Sequence, residues 1–473
     1  MTLSMRPART SLHVALALAV GLAFRLWVVA AYPYEAGDTP LYENLAKSLA
    51  AHHAFALEYE GRLLPVNVRM PGYPSLLAAC HVLFGPGFQP VRVVQAVTDT
   101  ATCPIAAAIA AMLASAAWRR RVFLAGLWLA VLCPFTANYA AAILAETPGA
   151  FWNTAATALL LLGVQRGDGR SFRDPGALAV LAAAGAAAGI GCYFRPETPL
   201  VLTAGGLVLL GLWWRPRDWG RLARVGLALG VGLVAALGPW ALRNALVLHR
   251  AELLPPPAAN LPGEMAPLGF NQWTQTWLTT NREIYLFSFR VEDEPLEIDK
   301  LPRIAYDSPQ ERERVARLFE EHNRDFTLTP RMDAAFAELA RERTARHPLR
   351  TFLWVPLARV AALWISPRLE LLPYSGVLTP VRQAWADDPY DFAATVLLFS
   401  ANLLYIVLAL LALPRVRWRT GGAIVVAYLL LRTALMTLMP GPEPRYVVIA
   451  FPLLAALAAQ LWAGRDAAAV QAA

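Results

Sequence analysis

Ten apolar stretches, each about as long as a bilayer-crossing helix, constrain the fold of this 473-residue chain more than any other feature. Hydrophobic residues make up 57% of the sequence and charged residues 16%, a composition that excludes an ordinary soluble enzyme. We therefore predict an all-α polytopic membrane protein. The predicted spans lie near 11–32, 88–114, 122–138, 144–164, 176–194, 197–214, 222–242, 391–413, 421–440 and 446–463.

Arginines in the short connectors predict the orientation of these spans. Of 42 basic residues only Lys47 and Lys300 are lysines, and the excess of arginine is a topology signal that predicts no nucleic-acid partner. The N-terminal stretch is expected to be a retained signal anchor. We predict a multi-pass protein of the cytoplasmic (inner) membrane with its distinctive loops on the periplasmic or extracellular side. The connectors expected in the cytoplasm are 118–121, 166–173, 215–224 and 415–419.

The sequence predicts three regions along the chain. A seven-span transmembrane module, with a first outward loop at 33–74, occupies 1–244. It is followed by an outward-facing subdomain at 245–389, rich in charged residues and proline. Transmembrane helices at 390–473 complete the chain.

The segment 348–366 is apolar enough to cross the membrane, but a crossing here would place the Arg415 cluster on the outside. Pro356 and the charge of Arg359 favour an interfacial or re-entrant segment, because an arginine at mid-bilayer is costly. Ten spans are therefore preferred, and eleven remain the alternative.

The first outward loop carries the candidate catalytic residue, Asp38. Gly37 and Pro40 bracket this carboxylate in a turn, and an amphipathic helix follows it along the membrane surface. We interpret Asp38 as a catalytic base. The alternative is that Asp38 only caps the following helix.

Two other outward turns hold charged residues next to prolines. Glu146, before the fourth predicted span, is a candidate for positioning an acceptor or a divalent cation, or it is a solvated helix-start acid. Arg195 is a candidate for gripping a phosphate, with Glu197 as a further acceptor- or cation-positioning residue. The alternative is an ion pair of Arg195 with Glu197 or Glu146.

The last outward turn presents Arg445 and Tyr446 just before a span. They are candidates for binding the same phosphate, with snorkelling of the arginine to lipid headgroups as the alternative. Asp99 lies inside a predicted span, where pairing with an intramembrane arginine is expected. The four cysteines show neither redox nor metal-ligand spacing.

These motifs, in this order, resemble membrane glycosyltransferases of the C-type (GT-C) fold that use lipid-phosphate sugars. The similarity is to the branch of protein mannosyltransferases and bacterial aminoarabinose transferases, glycosyltransferase family 39. The motifs that carry it are Gly37-Asp38, Arg69-Met-Pro-Gly-Tyr-Pro74, Ala145-Glu-Thr147, Phe194-Arg-Pro196, Pro239-Trp-Ala-Leu-Arg-Asn244, His347-Pro348 and Arg445-Tyr446.

The resemblance implies that the seven-span module is catalytic and that Asp38 matches the acidic residue of the first loop. It places Arg69, Arg195 and Arg445 near the donor phosphate. Protein mannosyltransferases carry an Asp-Glu pair in this loop, whereas Thr39 follows Asp38 here. The resemblance therefore does not imply that the acceptor is a protein. No cofactor is certain, and a divalent cation held by Asp38 and Glu146 stays open.

The expected function is inverting transfer of a hexose or pentose from a polyprenyl-phosphate donor to an acceptor hydroxyl of a glycan, lipid or protein in the cell envelope. Because a polyprenyl phosphate is a good leaving group, a single base suffices. The alternative is a lipid-linked sugar flippase or transporter, which would also use intramembrane charges.

Overall fold

A computed structural model describes residues 7–168, 172–214, 218–255, 265–291 and 294–464. Within these ranges the chain forms nineteen α-helices and one antiparallel pair of strands, β1 and β2. The elements are α1 Pro7–Ala31, α2 Thr39–His52, β1 Ala56–Tyr59, β2 Arg62–Pro65, α3 Gly72–Phe84, α4 Gln89–Leu113, α5 Arg119–Val131, α6 Pro134–Ala140, α7 Glu146–Asp168, α8 Pro175–Cys192, α9 Leu200–Trp213, α10 Trp219–Val247, α11 Leu268–Thr274, α12 Asn281–Glu283, α13 Pro309–His322, α14 Pro330–Arg346, α15 Val355–Trp364, α16 Val381–Asp387, α17 Pro389–Ala412, α18 Ala423–Leu438 and α19 Phe451–Ala458.

Six helical segments of the described ranges are long and apolar enough to cross a membrane, and the bent pair α5 and α6 adds a seventh if it is one span. Three shorter apolar helices are α3, α9 and α18. Nine of the ten predicted spans overlap one of these segments, and the predicted span 144–164 overlaps α7, which is not among them. The prediction of an all-α, multi-pass membrane protein is thereby confirmed, and the count of ten or eleven crossings stays a prediction. The six segments are Thr10–Ala31, Gln89–Leu113, Pro175–Cys192, Trp219–Val247, Pro389–Arg415 and Pro444–Trp462.

The chain packs as two compact units. The first unit comprises the described residues within Met1–Leu254, Pro367–Leu431 and Val448–Ala473, and the second those within Pro255–Ser366 and Arg432–Val447. Residues 367–389 thus pack with the first unit, and residues 432–447, the last turns of α18 and the loop after it, pack with the second unit. The predicted boundaries at 244 and 389 stay a prediction.

The helices of the first unit pack through small side chains. Two thirds of the residues of helix α8 are alanine or glycine, and the helix lies against α7 and α10 over most of its length. Small residues let membrane helices approach closely, and the van der Waals contact between their backbones replaces a hydrophobic driving force that lipid does not supply. A second set of contacts joins α4 to α5 and α7.

An ion pair is buried within this bundle. The Arg25 guanidinium of α1 donates to the Asp99 carboxylate of α4 at 2.6 Å, and both side chains are at most 1% exposed. Arg25 also donates to the Val131 carbonyl at the end of α5. The predicted pairing of Asp99 with an intramembrane arginine is confirmed.

The second unit has an aromatic core. Trp273, Trp277, Phe319 and Phe336 are buried together between α11, α13 and α14. Helix α13 begins after Ser308, whose hydroxyl accepts a hydrogen bond from the Glu311 amide, as expected for a serine N-cap.

The segment predicted to be interfacial or re-entrant forms a π-helical turn, Arg350–Trp354, followed by α15. Helix α15 has ten residues and is about 15 Å long, half of a bilayer core. Arg359 is buried, and it donates to the carbonyls of Leu278, Thr437 and Met439 within the second unit. The interfacial or re-entrant placement stays a prediction.

Candidate active site

The first outward loop is fastened to the α6–α7 connection. Tyr34 forms an isolated β-bridge with Ala142, and the Thr39 hydroxyl donates to the Ile143 carbonyl at 3.3 Å. Arg92, near the start of α4, pairs with Glu35 of the loop at 3.2 Å. These contacts fix the backbone on both sides of Asp38.

Asp38 occupies the N-cap position of α2 without capping it. Its backbone is helical (φ −73°, ψ −16°), and within the described part of the chain its side chain makes no capping hydrogen bond. A capping residue normally has extended backbone so that its side chain can turn back to the first amides. The Asp38 carboxylate instead accepts a hydrogen bond from Arg69 at 2.9 Å. The two side chains are 23% and 31% exposed, so the pair faces open space.

The Arg69 segment is held against the turn that carries Arg195. The Gly72 amide donates to the Tyr193 carbonyl at 2.9 Å. A Cβ atom at Gly72 would lie 2.7 Å from that carbonyl oxygen, so the approach requires glycine. The motif around Pro71 and Gly72 thereby brings Arg69 and Arg195, which are distant in sequence, into one region of the first unit.

Arg195 joins two carboxylates. Its guanidinium donates to Glu146 at 3.2 Å and to Glu197 at 3.0 Å. Glu146, at the start of α7, is 1% exposed, whereas Arg195 is 15% exposed. The ion pairs weighed as an alternative from the sequence are therefore present, and any contact of Arg195 with a phosphate would add to them or replace them.

The charges of both groups influence Tyr42 of α2. This buried tyrosine packs edge-to-face on Tyr73, with ring centroids 4.9 Å apart. Burial raises the pKa of its hydroxyl, and the negative charge of Asp38 raises that pKa further, while Arg69 and Arg195 lower it and Glu146 raises it. The Asp38–Arg69 and Glu146–Arg195 pairs therefore act on the same hydroxyl group.

A divalent cation does not fit the donor set. Asp38 and Glu146 each accept from an arginine, whose positive charge takes the place a cation would occupy. No group of three or more His, Cys, Asp or Glu side chains suited to a metal occurs among the described residues. We therefore assign no step to a metal.

Arg445 and Tyr446 lie in the second unit and share one acceptor. The Arg445 guanidinium and the Tyr446 hydroxyl each donate to the Glu443 carboxylate at 2.9 Å. Arg432 donates to the Tyr446 carbonyl from α18. The role of both residues near a donor phosphate stays a prediction.

Sequence reasoning missed several residues around the first loop. Tyr139 donates to Glu370 at 2.9 Å, and Leu371 packs with Tyr34 and Ala36, two residues before Asp38. The sequence signal for this segment was weak, since only Arg368 and Glu370 are charged among the leucines between Pro367 and Pro373. Tyr42 was missed because it looks like an ordinary residue of an amphipathic helix.

No protein-family model matches the sequence, and no curated protein matches it either. Among solved structures, the chain is similar to ArnT from Cupriavidus metallidurans bound to undecaprenyl phosphate, with 18% identity and a TM-score of 0.41 over 96% of this chain and 78% of that one. It is also similar to the archaeal oligosaccharyltransferase AglB from Archaeoglobus fulgidus in complex with an inhibitory peptide and a dolichol-phosphate, with 12% identity and a TM-score of 0.48 over 95% of this chain. The chain spans about half of the length of AglB, 50%.

Proposed function

We propose that this protein is a C-type-fold, inverting glycosyltransferase that moves a sugar from a polyprenyl-phosphate donor to an acceptor hydroxyl. The acceptor is a glycan, a lipid or a protein at the outer face of the cytoplasmic membrane. The observation that carries the proposal is the partly exposed Asp38–Arg69 pair, together with the Glu146–Arg195–Glu197 group on the turn that the Gly72–Tyr193 hydrogen bond holds against the Arg69 segment.

The pairing of Asp38 with Arg69 suits a two-part reaction. A donor phosphate competes with the Asp38 carboxylate for the Arg69 guanidinium, because arginine binds phosphate and carboxylate with the same planar pair of donors. Once Arg69 turns to the phosphate, Asp38 is left to accept a proton from the incoming hydroxyl. Substrate binding would thereby activate the base.

Bond formation and cleavage then balance without a general acid. The acceptor oxygen loses its proton to Asp38 and bonds to the anomeric carbon, while the bond from that carbon to the phosphate oxygen breaks. The polyprenyl phosphate leaves with the electron pair, and Arg69 stabilises the charge that develops on it. Attack opposite to the leaving group gives inversion at the anomeric carbon.

The Glu146–Arg195–Glu197 group supports the reaction by position and charge. Glu146 is buried and held by Arg195, so we assign it to orienting Arg195 and the acceptor side of the site. Arg195 lies where a partly exposed guanidinium can add to the binding of the phosphate. Membrane lipid would hold the polyprenyl chain of the donor, since α8, which leads into the Arg195 turn, is long and apolar enough to cross a membrane.

The first prediction concerns Asp38→Asn. Removing a general base costs about 10²–10⁴-fold in rate, so this variant should lose transfer while it still inserts in the membrane. Mass spectrometry of lipid-linked sugars in cells with and without the gene identifies the donor that accumulates. Cells that carry only Asp38→Asn should accumulate the same compound.

Glu43→Gln is the matched control, because Glu43 lies on the same helix and pairs with Lys47 at the surface. With the identified donor and purified protein, a transferase releases polyprenyl phosphate and adds a sugar mass to the acceptor. A flippase or transporter leaves the lipid-linked sugar intact. Near-normal transfer by Asp38→Asn, or an intact lipid-linked sugar with the native chain, contradicts the proposal.

A further inference from the structure

A large apolar groove runs along the membrane-spanning part of the first unit. It has a volume of about 750 Å³ and lies between α5 and α17, with Trp462 closing one side. Leu397 and Leu404 on its wall are 70% and 54% exposed, so the groove is open to the surroundings of the helices. Its position is separate from the candidate active site.

The groove begins at the end of the bundle remote from Asp38. Helix α4 starts beside the first loop, where Arg92 pairs with Glu35, and ends at Leu113 after 25 residues, about 37 Å away. Helix α5 starts six residues later, so Arg121 lies at that far end. The Arg417 amide donates to the Leu113 carbonyl, which brings the arginine-rich connector 415–419 to the same end.

The groove is lined by one charged residue and by mostly apolar side chains. Among the described residues that line the groove, Arg121 is the single charged side chain, and Leu124, Trp128 and Leu408 are typical of the rest. The one hydroxyl, that of Tyr405, is used internally, since it donates to the Leu129 carbonyl at 2.5 Å. The wall therefore offers a cation at one end and hydrocarbon along the remainder.

The length of the groove matches one leaflet. Its lining on α17 runs from Leu397 to Leu408, which is about 17 Å along a helix. One leaflet of a bilayer core is about 15 Å thick. A molecule with a headgroup beside Arg121 and chains extending to Leu397 would fill it.

We propose that this groove binds an anionic phospholipid, with its phosphate headgroup at Arg121 and its acyl chains between α5 and α17. Charge complementarity selects this occupant, because Arg121 is the single charge among the described residues that line the groove, and a phosphate beside it would be neutralised. By the positive-inside rule this is the cytoplasmic leaflet. The site is independent of the proposed sugar transfer.

The test uses the full-length chain, purified, stripped of lipid by detergent exchange and titrated with phosphatidylglycerol or phosphatidylethanolamine in native mass spectrometry. We expect one phosphatidylglycerol to bind the native chain in preference to phosphatidylethanolamine. Arg121→Gln should weaken phosphatidylglycerol binding about fivefold with little effect on phosphatidylethanolamine. Ala401→Trp, which fills the groove, should abolish the tight binding of both lipids.

Two matched controls separate the site from general effects. Arg119→Gln removes the same charge from the same turn of α5 but does not line the groove, and Leu227→Trp adds an indole to an exposed position of α10. Both should bind phosphatidylglycerol like the native chain. Equal binding by native, Arg121→Gln and Ala401→Trp chains overturns the proposal, as does displacement of the phospholipid by a polyprenyl phosphate or a dimer that covers the groove.

Discussion

At the scale of single residues, the candidate site depends on close packing around Arg195. Gly149 lies on the first turn of α7, three residues after Glu146, and a Cβ atom there would lie 2.5 Å from Arg195 Cγ. The stem of the arginine therefore rests on the backbone of α7, which aims the guanidinium at Glu146 and Glu197. Glycine is required here because the Arg195 side chain packs directly against the α7 backbone, and not because of an unusual backbone angle.

Gly149→Ala tests this arrangement without removing any charge. The added methyl group should displace the Arg195 side chain, and misplacement of a substrate-positioning group by about 1 Å can cost about 10²-fold in rate. We expect the catalytic efficiency with the lipid-linked donor to fall by about that factor. Gly206→Ala is the control, because an added Cβ there meets nothing within 4 Å. Unchanged efficiency in Gly149→Ala would show that the position of Arg195 is unimportant for transfer.

At the scale of elements, a charge cluster ties α13 to α14 in the second unit. Arg343 of α14 is fully buried and donates to Glu311 of α13 at 2.6 Å, and Asp307 accepts from Arg350 just beyond α14. Burial opposes ionisation of Asp307, but the hydrogen bond from Arg350 and the charges of Arg343 and Arg346 outweigh it. The pKa of Asp307 therefore lies below its ordinary value.

This shift makes the second unit sensitive to acid. Because the folded pKa is below the unfolded value of about 3.9, ionised Asp307 stabilises the unit above that pH, and the contribution is lost as pH falls through the folded value. Asp307→Asn should remove roughly 1–3 kcal/mol at neutral pH and flatten the acid dependence. Hydrogen exchange of α13 and α14 in the full-length chain measures both effects.

Asp299→Asn is the control, since Asp299 pairs with Arg312 but is 92% exposed. Exposed pairs contribute about 0–1 kcal/mol, so its exchange should hardly change. If Asp307→Asn and Asp299→Asn behave alike, the cluster does not stabilise the junction between the two helices.

At the scale of the whole molecule, the chain passes back and forth between its two units. Three stretches build the first unit and two build the second, so α18 begins in one and ends in the other. Within the first unit the buried Arg25–Asp99 pair joins α1 to α4, and the Arg25 bond to Val131 adds α5. The N-terminal helix is thereby fixed to the bundle by charge as well as by packing.

Arg25→Leu should lower the stability of the protein far more than replacement of both Arg25 and Asp99 with leucine. Breaking a buried pair typically costs about 3–5 kcal/mol because one charge is left without compensation, whereas replacing both partners with apolar residues is often neutral. Thermal unfolding in detergent should therefore show a large loss for Arg25→Leu and recovery in Arg25→Leu/Asp99→Leu. A double variant as unstable as the single one would mean that the pair itself holds the bundle together.

Local patterns in the sequence were sufficient to predict the apolar helices and to identify the chain as a multi-pass membrane protein. The apolar stretches of bilayer length and the amphipathic helix after Asp38 follow from hydrophobic periodicity and end signals within each segment. The cost of burying a charge in lipid was enough to predict a partner for Asp99, although not which arginine.

The tertiary structure decided which charged residues meet. Asp38 could have capped α2 or faced a partner, and only the path of the chain through Gly72 and Tyr193 brought Arg69 to it. Arg195 forms ion pairs with both carboxylates that the sequence offered as alternatives, Glu146 and Glu197. Arg445 pairs with Glu443 in the second unit. A sequence determines where its helices begin and end because those signals lie within a few residues, but ion pairs between segments depend on packing among distant helices.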